Sequence, residues 1–395
     1  MLPTEWAEFE PYGGNLILIS SLKVRCQSRV LFWLILQTVL MIINYMSYPK
    51  LSFLLISFLA YFPIHLMAQP LAPGDNGLKE YTIKDPSLGL IRFYTDTEKL
   101  QKRMPLFIEV NGSGGLPLCI YIRGKGFSTL SNTFNTQLKD EVTKRHFRYI
   151  ILGKPGTSFC DTITTNDDIR HFDQHTLISN YKFSAEYNRR LSLDWRISAT
   201  KKVITYLIGH GFWDNTKIVA YGYSEGAQVV PALAVADKRI SHIVTIAGSG
   251  LNQFYDGIIA WRIKAAKGEL TQQQAQDSID AELKQIKDIY LQPGNTQLQY
   301  SGHSYKRWAS FGHVPPFEEL RKLNIPIYMI AGTADENSPV YGLDYVQLDF
   351  IRLGKNNLTY EPCVGCDHYL NSTQHGKTVN HTAEYFEKIF RWLAK

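Results

Sequence analysis

Short apolar runs alternate with longer patterns of helical period along most of the chain after residue 70. The apolar runs predict strands that are buried in a sheet. They lie at residues 81–84, 89–94, 106–110, 148–152, 217–221, 240–246, 325–331 and 358–362. Apolar residues at helical spacing predict helices between these strands. The helices are expected at residues 191–208, 226–236, 271–290 and 382–393, with a less regular candidate at 128–146.

The repeated order of strand and helix predicts the α/β class, with a mostly parallel central sheet and helices on both faces. Residues 250–323 interrupt this order with a polar helix and stretches rich in aromatic residues. We interpret them as a helical cap inserted into one α/β domain at residues 69–395. Its aromatic side chains either line a substrate pocket or pack the cap onto the core, and packing is favoured for most of them. Its histidines, His303 and His313, either contact substrate or have surface roles, and surface roles are favoured.

Two apolar stretches, residues 30–46 and 51–67, precede this domain. Each is shorter than the roughly 20 apolar residues that a membrane-spanning helix needs. The second stretch follows Lys50 and is followed by a small residue, Ala68, which is the pattern of a signal peptide and its cleavage site. We therefore expect residues 1–68 to be an N-terminal extension that exports the domain to the periplasm or the outside of the cell.

The alternative is that residues 30–67 form an uncleaved membrane anchor or hairpin that tethers the domain. A translation start at Met46 would give a signal peptide of ordinary length. Residues 1–45 would then be an over-extension of the reading frame.

Composition and charge narrow the range of partners. The chain has a net charge of +6, and no run of Lys or Arg stands out after residue 50. The surplus of positive charge is therefore better explained by general surface properties than by nucleic-acid binding. A small molecule is the expected partner.

Outside the N-terminal extension, which contains Cys26, the cysteines are Cys119, Cys160, Cys363 and Cys366. An even number of cysteines in an exported protein permits disulfides, and their pairing stays open at this point. Cys363 and Cys366 form a CxxC pair that either closes a tight bridge or stays reduced. No second CxxC or HxxxH pair completes a zinc site, so we predict no metal and no other cofactor.

The strongest chemical signal is Gly-Tyr-Ser-Glu-Gly at residues 222–226. It follows the predicted strand at 217–221 and precedes an apolar helix, and this context makes a GxSxG motif a nucleophile elbow. The turn is so tight that side chains two residues before or after the serine would collide with neighbouring chain, so both positions need glycine. We predict Ser224 as a nucleophile at a helix N-terminus, where negative charge is stabilised. The alternative is a Gly/Ser turn without chemistry.

A serine nucleophile needs a base to accept its proton. After a nucleophile elbow, the order along the chain is serine, acid, histidine. Asp335 follows the next-to-last predicted strand and is the predicted acid, with Glu336 as second choice, although Asp in this position also often caps a helix. His368 follows the last predicted strand and is the predicted base. His375 and His381 are rivals in less suitable positions.

A tetrahedral intermediate needs backbone N–H groups aimed at its oxygen. The residue after the nucleophile, Glu225, is the predicted first donor. The second donor is expected in the glycine-rich loop at residues 111–115, which follows the strand at 106–110. Ser113 is the first choice in this loop and Gly112 the second. The alternative is a flexible glycine turn.

With these motifs in this order, the chain resembles the α/β-hydrolase superfamily of serine hydrolases. The motifs are NGSGG at 111–115, GKPG at 153–156, GYSEG at 222–226, GTADENSPV at 332–340 and GCDHY at 365–369. The GxSEG form and the helical insertion are similar to exported bacterial esterases and to dienelactone-hydrolase-like or prolyl-oligopeptidase-like members. The resemblance implies hydrolysis of esters, thioesters or peptide bonds without a metal. The family loop often begins His-Gly, and here it begins with Asn111, which leaves the backbone donors in place.

We therefore expect a carboxylic ester hydrolase that acts on a small-molecule ester through Ser224, His368 and Asp335 and an acyl-enzyme intermediate. The alternatives are a prolyl-oligopeptidase-like serine peptidase that acts on short peptides, or a thioesterase. A third hypothesis is an inactive relative that serves as a binding protein, and the complete set of three residues argues against it.

Overall fold

The structure is a computed structural model that describes residues 70–97, 101–123, 126–131, 134–164 and 181–395. The predicted signal peptide and its alternative, an anchor at residues 30–67, lie outside these ranges. None of the helices within the described ranges combines the length and the apolar character needed to cross a bilayer.

The predicted apolar runs form a central sheet. In chain order, the strands are β1 Leu78–Asp85, β2 Gly89–Asp96, β3 Met104–Val110, β4 Cys119–Arg123, β5 Phe127–Leu130, β6 Arg148–Leu152, β7 Cys160–Thr164, β8 Trp213–Tyr223, β9 His242–Ile246, β10 Gln299–Tyr300, β11 His303–Ser304, β12 Ile327–Gly332, β13 Leu358–Cys363, β14 Asn371–Gln374 and β15 Lys377–Asn380. The central sheet has the order β1-β2-β6-β3-β8-β9-β12-β13. β2 is antiparallel to both of its neighbours, and the other pairs are parallel. The predicted mostly parallel sheet is confirmed.

Helices connect the strands and cover the sheet. They are α1 Thr136–Lys144, α2 Ala185–Arg190, α3 Leu193–Gly209, α4 Glu225–Ala236, α5 Gln253–Ala266, α6 Gln272–Leu291, α7 Tyr305–Gly312, α8 Pro316–Leu320, α9 Tyr341–Arg352 and α10 Thr382–Leu393. A short 3-10 helix, Pro73–Asn76, precedes β1.

The sheet separates two buried cores, because neighbouring residues on a strand point to opposite faces. In β3, Ile108 belongs to the same buried cluster as Val203 of α3. The preceding residue, Phe107, belongs to the other cluster, with Leu138 of α1 and Phe386 of α10. Helices therefore cover both faces, which confirms the predicted fold class.

The candidate helix at residues 128–146 is wrong in its first part. Phe127–Leu130 forms β5, which pairs antiparallel with β4, and β7 extends this second sheet on the other side of β4. The helix begins only after Asn135, whose side chain accepts a hydrogen bond of 3.0 Å from the Leu138 N–H. Pairing with β4, which the sequence did not predict as a strand, overrides a weak local helical pattern.

The insertion contains α5, α6, the β10–β11 hairpin, α7 and α8. It has a small buried cluster of its own that includes Phe254, Ile289 and Tyr305. Phe254 also stacks on Trp308, with ring centroids 5.3 Å apart. Phe311 belongs to the main core instead. These aromatic side chains pack the insertion together and join it to the core.

Candidate active site

The turn between β8 and α4 carries Ser224. Its φ of 54° is in the left-handed region, which is unfavourable for serine and marks local strain. A Cβ added to Gly222 would lie 2.3 Å from the Gly226 carbonyl oxygen, and one added to Gly226 would lie 1.8 Å from the Val110 carbonyl oxygen. Both glycines are therefore sterically required. The turn presents the serine at the carboxyl ends of the parallel strands, where sites in such sheets form.

Ser224, His368 and Asp335 lie within hydrogen-bonding distance of one another. The His368 Nε2 is 3.1 Å from the Ser224 Oγ, and the His368 Nδ1 is 2.8 Å from the Asp335 Oδ2. The other oxygen of Asp335 accepts hydrogen bonds from the Asn337 and Ser338 N–H groups, at 2.8 and 2.9 Å. The structure thus brings together the three residues that the sequence indicated, in the arrangement of a nucleophile, a base and an orienting carboxylate.

Three contacts fix the loop that carries His368. The Tyr223 hydroxyl, from the nucleophile turn, donates a hydrogen bond to the His368 carbonyl oxygen. Cys363 and Cys366 form a disulfide at the end of β13. The Ala334 N–H donates a hydrogen bond of 2.9 Å to the Cys366 carbonyl oxygen. The histidine loop is thereby joined to both the nucleophile turn and the loop of the acid.

The alternative acid and bases have other partners. Glu336 is exposed and pairs with Lys267. His375 occupies an exposed turn between β14 and β15. His381 precedes α10, and its Nε2 lies 2.8 Å from the Ser372 Oγ.

The predicted oxyanion donors lie beside the serine. Glu225 is the first residue of α4 and follows Ser224 directly. Gly112 packs against the serine, because a Cβ added to Gly112 would lie 3.5 Å from the Ser224 Cβ. Ser113 is the next residue of the same loop and is exposed. Within the described residues, the N–H groups of Gly112, Ser113 and Glu225 donate no hydrogen bond to the protein, so they are available to a ligand.

The sequence matches no protein-family model and no curated protein. Solved structures are similar to it. The acylaminoacyl peptidase of Pyrococcus horikoshii is 10% identical, with a TM-score of 0.50 over 80% of this chain and 41% of that chain. Est1E from Butyrivibrio proteoclasticus is 11% identical, with a TM-score of 0.43 over 80% of this chain and 97% of that chain. One of two fungal esterases from Rhizomucor miehei is 14% identical, with a TM-score of 0.48 over 84% of each chain.

The likeness to the peptidase agrees with the strand order and the nucleophile turn. This chain has the α/β-hydrolase fold. It matches only about two fifths of the length of the peptidase, 41%. At this level of identity the likeness concerns the fold, and the activity has to be argued from the site itself.

Next to the predicted oxyanion donors, this chain buries four charged side chains, of which only Glu225 belongs to a predicted site residue, and that prediction concerned its backbone N–H. The Glu225 carboxylate lies 2.9 Å from the Arg196 Nη1 and 2.6 Å from the Arg307 Nη2. The Lys154 Nζ is 3.9 Å from the same carboxylate, and the Lys154 side chain is 1% exposed. We refer to Lys154, Arg196, Glu225 and Arg307 as the buried quartet.

Burial and charge oppose each other in the buried quartet. Burial alone would raise the pKa of the Glu225 carboxyl, but the charges of Arg307, Lys154 and Arg196 lower this pKa to about 2. Burial lowers the pKa of the Lys154 ammonium to about 7, against the attraction of Glu225. Two guanidinium groups face one carboxylate, so the quartet keeps an excess of positive charge beside Ser224 even when Lys154 is neutral. Such a charge favours an anion that forms there.

Two members of the buried quartet had a signal in the sequence. Arg196 lies three residues after Leu193 on the apolar face of the predicted helix at 191–208, and a charged residue on a buried face needs a partner. Lys154 follows a buried strand directly, in the GKPG motif. Arg307 had no local signal, because it lies 82 residues from its partner Glu225.

His303 does not have the expected surface role. It is half-buried, its Nδ1 lies 3.2 Å from the Tyr187 hydroxyl oxygen, and its ring stacks on Phe183. Burial, with the nearby charge of Arg307, lowers the pKa of His303 to about 3, so the ring is neutral near pH 7. His313 is exposed at the end of α7, as expected.

Cys363, Cys366 and His381 place three possible metal-ligating atoms within 4.8 Å of one another. A zinc site would need both sulfurs as thiolates. Here the two sulfurs are joined in a disulfide, so the structure has no thiolate pair at this position. The two remaining cysteines of the described ranges, Cys119 and Cys160, are thiols that face each other across β4 and β7, with their Sγ atoms 2.8 Å apart.

Proposed function

We propose that the protein is a serine hydrolase that cleaves carboxylic esters, with Ser224 as nucleophile, His368 as general base and Asp335 as the acid that orients the base. One observation carries the proposal. An unbroken chain of contacts runs from the Ser224 Oγ to the His368 Nε2 at 3.1 Å, and from the His368 Nδ1 to the Asp335 Oδ2 at 2.8 Å. A serine in such a chain can lose its proton as it attacks a carbonyl carbon.

In the first half-reaction, the Ser224 oxygen attacks the ester carbonyl carbon while its proton passes to the His368 Nε2. The Asp335 carboxylate stabilises the imidazolium that forms. The N–H group of Glu225 and one from the Gly112–Ser113 segment donate hydrogen bonds to the oxyanion. His368 then gives its proton to the departing alkoxide, which leaves as an alcohol, and Ser224 remains acylated.

Water completes the cycle by the same route. His368 takes a proton from a water molecule as the water oxygen attacks the acyl carbon. The second tetrahedral intermediate uses the same N–H donors, and its collapse releases a carboxylic acid and returns a proton to Ser224. Every proton moves between Ser224, His368, the substrate and water, so the proposed reaction requires no cofactor.

We further propose that the domain is exported and meets a small-molecule ester outside the cytoplasm. The apolar segment at 51–67 with its small-residue junction supports export. The Cys363–Cys366 disulfide supports an oxidising compartment. Detection of a mature protein that begins at Gln69 in the periplasmic or culture fraction tests this proposal. A full-length protein in the membrane fraction would favour the anchor at 30–67.

The decisive experiment is labelling of the purified protein with a fluorophosphonate probe, which reacts covalently with activated serines. We expect the wild type to be labelled and Ser224→Ala to be unlabelled. Ser113→Ala is the matched control, because it removes another serine hydroxyl of the same site and leaves the backbone N–H in place. It should be labelled like the wild type.

The same proteins are then assayed with chromogenic oxygen esters of several acyl lengths, a thioester, and a peptide anilide. Turnover of oxygen esters that Ser224→Ala abolishes supports the ester hydrolase. Preference for the anilide or the thioester would replace it with the peptidase or the thioesterase. A folded wild type that is neither labelled nor active on any substrate would refute hydrolase function and favour a binding protein.

A further inference from the structure

Lys154 forms hydrogen bonds with the loop at residues 111–115, which carries the candidate second oxyanion donor. Lys154 follows β6, and its side chain is 1% exposed. Its ammonium group donates hydrogen bonds to the carbonyl oxygens of Gly112 and Gly114, the second at 2.5 Å. Its Nζ also lies 3.9 Å from the Glu225 carboxylate. One buried amino group thus contacts the loop twice and lies near the side chain of the residue that carries the candidate first donor.

The bond to Gly112 determines the direction of the Ser113 N–H. The Gly112 carbonyl and the Ser113 N–H belong to one planar trans peptide, in which the two groups point in opposite directions. Because the carbonyl points at the Lys154 Nζ, the N–H points away from it. The same N–H donates to no protein group among the described residues, and a Cβ added to Gly112 would lie 3.5 Å from the Ser224 Cβ, so the loop passes beside the serine. The peptide is therefore oriented with a vacant donor on the side away from the lysine.

A glycine-rich loop needs such an external contact. Glycine has wide backbone freedom and no side chain with which to fix its own peptides. Gly114 has a φ of 85°, which only glycine adopts without strain, and its carbonyl is the second acceptor of Lys154. Without the lysine, two partly buried carbonyl groups would lose this donor, and the loop would gain alternative orientations.

Arg196 joins the same loop to the nucleophile turn. Its Nη2 donates to the Asn111 carbonyl oxygen at 2.8 Å and to the Asn111 Oδ1 at 3.1 Å, while its Nη1 donates to Glu225 at 2.9 Å. The two segments that carry the candidate donors are therefore fixed relative to each other by charged side chains. Lys154 is the member of the quartet that bonds directly to the peptide of the second donor.

We propose that Lys154 is a positioning residue that orients the Gly112–Ser113 peptide, so that the Ser113 N–H serves as the second oxyanion donor. This inference rests on the proposed hydrolase function and extends it. The lysine touches neither substrate nor reacting atoms in this scheme. It acts through the peptide that it holds, and its effect belongs to the transition state rather than to substrate binding.

The test is Lys154→Met, which keeps the length of the side chain and removes its donors. Turnover of the best ester is measured per active site, with sites counted by complete fluorophosphonate titration. We expect kcat to fall about 10- to 100-fold, which is no more than the loss that removal of an oxyanion donor causes. The KM should stay within about twofold of the wild-type value. The affinity for a trifluoromethyl ketone, which forms a tetrahedral adduct with the serine, should fall by the same factor as kcat/KM.

Lys139→Met is the matched control. The Lys139 Nζ also donates to a backbone carbonyl, that of Asn76 at 2.9 Å, and its side chain is only 16% exposed. A general loss of packing or folding would affect both variants, whereas kcat per titrated site and ketone affinity should change only in Lys154→Met. If Lys154→Met does not fold, Lys154→Gln, which keeps one donor group, is expected to give an intermediate loss of both quantities.

The outcomes separate this inference from the proposed function. Activity or labelling that persists in Ser224→Ala refutes the function itself. Ser224-dependent turnover that is unchanged per site in Lys154→Met, or Lys154→Gln if only that variant folds, leaves the function intact and overturns the role of the lysine. A fall in kcat without a matching fall in ketone affinity also overturns it, because a displaced oxyanion donor must weaken both.

Discussion

Two buried carboxylates flank the serine, and they are supported in different ways. Asp335, on the histidine side, is 3% exposed and accepts hydrogen bonds from two backbone N–H groups of its own loop and from His368. Glu225, on the oxyanion side, is fully buried and is surrounded by Arg196, Arg307 and Lys154.

The difference follows from what each side has to do. In the proposed mechanism the histidine would change its charge in every half-reaction, so the carboxylate beside it should not be compensated by fixed cations. Neutral backbone donors keep Asp335 in place without competing with an imidazolium. The oxyanion side would not have to change its own charge state. Cationic side chains can therefore hold Glu225, and in the proposed mechanism their surplus positive charge would favour the developing oxyanion.

The largest effect is expected on the histidine side. In Asp335→Asn the shape is preserved, but the amide does not stabilise an imidazolium and favours the wrong histidine tautomer. We expect kcat to fall about 10⁴-fold. Steady-state kinetics of the ester reaction will check this. Glu336→Gln is the control, because Glu336 is an exposed partner of Lys267 and should lose no more than about twofold. Equal losses in both variants would reassign the acid.

The second-largest effect is expected on the free energy of unfolding, and it tests the cations that surround Glu225 on the oxyanion side. Arg307→Leu removes the guanidinium that contacts the Glu225 Oε2 at 2.6 Å and leaves this oxygen buried without that partner. We expect the free energy of unfolding to fall by about 3 kcal/mol. The exposed Arg262→Leu is the control and should change it by less than about 0.5 kcal/mol. Urea unfolding measures both, and equal stability of the two variants would mean that Glu225 does not depend on Arg307.

A third buried acid, Glu109, sharpens the comparison because, among the residues that the structure describes, it has neither a bond from a backbone N–H nor an ion pair with a cation. Glu109 of β3 is buried and accepts a hydrogen bond from the Tyr149 hydroxyl. Burial raises its pKa from 4.5 to about 8, although the bond from Tyr149 acts in the opposite direction. Near pH 7 the folded protein therefore keeps Glu109 protonated, whereas the unfolded chain has lost this proton.

The sign of the pH dependence follows from this difference. Between about pH 4.5 and pH 8 the folded state binds more protons at Glu109 than the unfolded state, so stability falls as the pH rises. Glu109→Gln keeps a neutral group of the same shape and should remove this part of the slope, which makes the variant more stable than the wild type near pH 8. Thermal unfolding of both proteins between pH 5 and pH 8 measures the effect. Parallel slopes would show that Glu109 is ionised in the folded state.

The histidine side could be predicted from the sequence because its signals are local. Ser224 directly follows β8, Asp335 lies in the loop after β12 and His368 in the loop after β13, and glycine spacing marks the nucleophile turn. Apolar runs likewise predicted the strands of the central sheet. The second sheet of β4, β5 and β7 was missed because the segments of β5 and β7 are short and mixed in polarity, and because the apolar run of β4, Cys119–Arg123, was not assigned to a strand.

On the oxyanion side, the sequence indicated the backbone N–H donors but not the charged side chains around them. Glycines at residues 111–115 indicated a loop that approaches the serine, and Lys154 and Arg196 stood at positions that the pattern predicts to be buried, but nothing local indicated that they hold this loop. Lys154 and Arg196 hold this loop, whereas Arg307 holds Glu225, and the three residues come from separate segments. A buried ion pair is set by distance in the fold rather than by spacing in the chain, so it becomes visible only when the fold is known.

The origin of Arg307 limits how freely this protein can be recombined. Arg307 belongs to the insertion, yet its charge is matched to the residue beside the nucleophile. A chimaera with another protein's segment in place of residues 250–323 would keep Glu225 but lose its partner Arg307. Transplanting the cap therefore requires that Arg307 and Glu225 be exchanged together as a pair. In this respect the insertion and the nucleophile turn have to be transferred together, although Arg307 and Glu225 are 82 residues apart in the sequence.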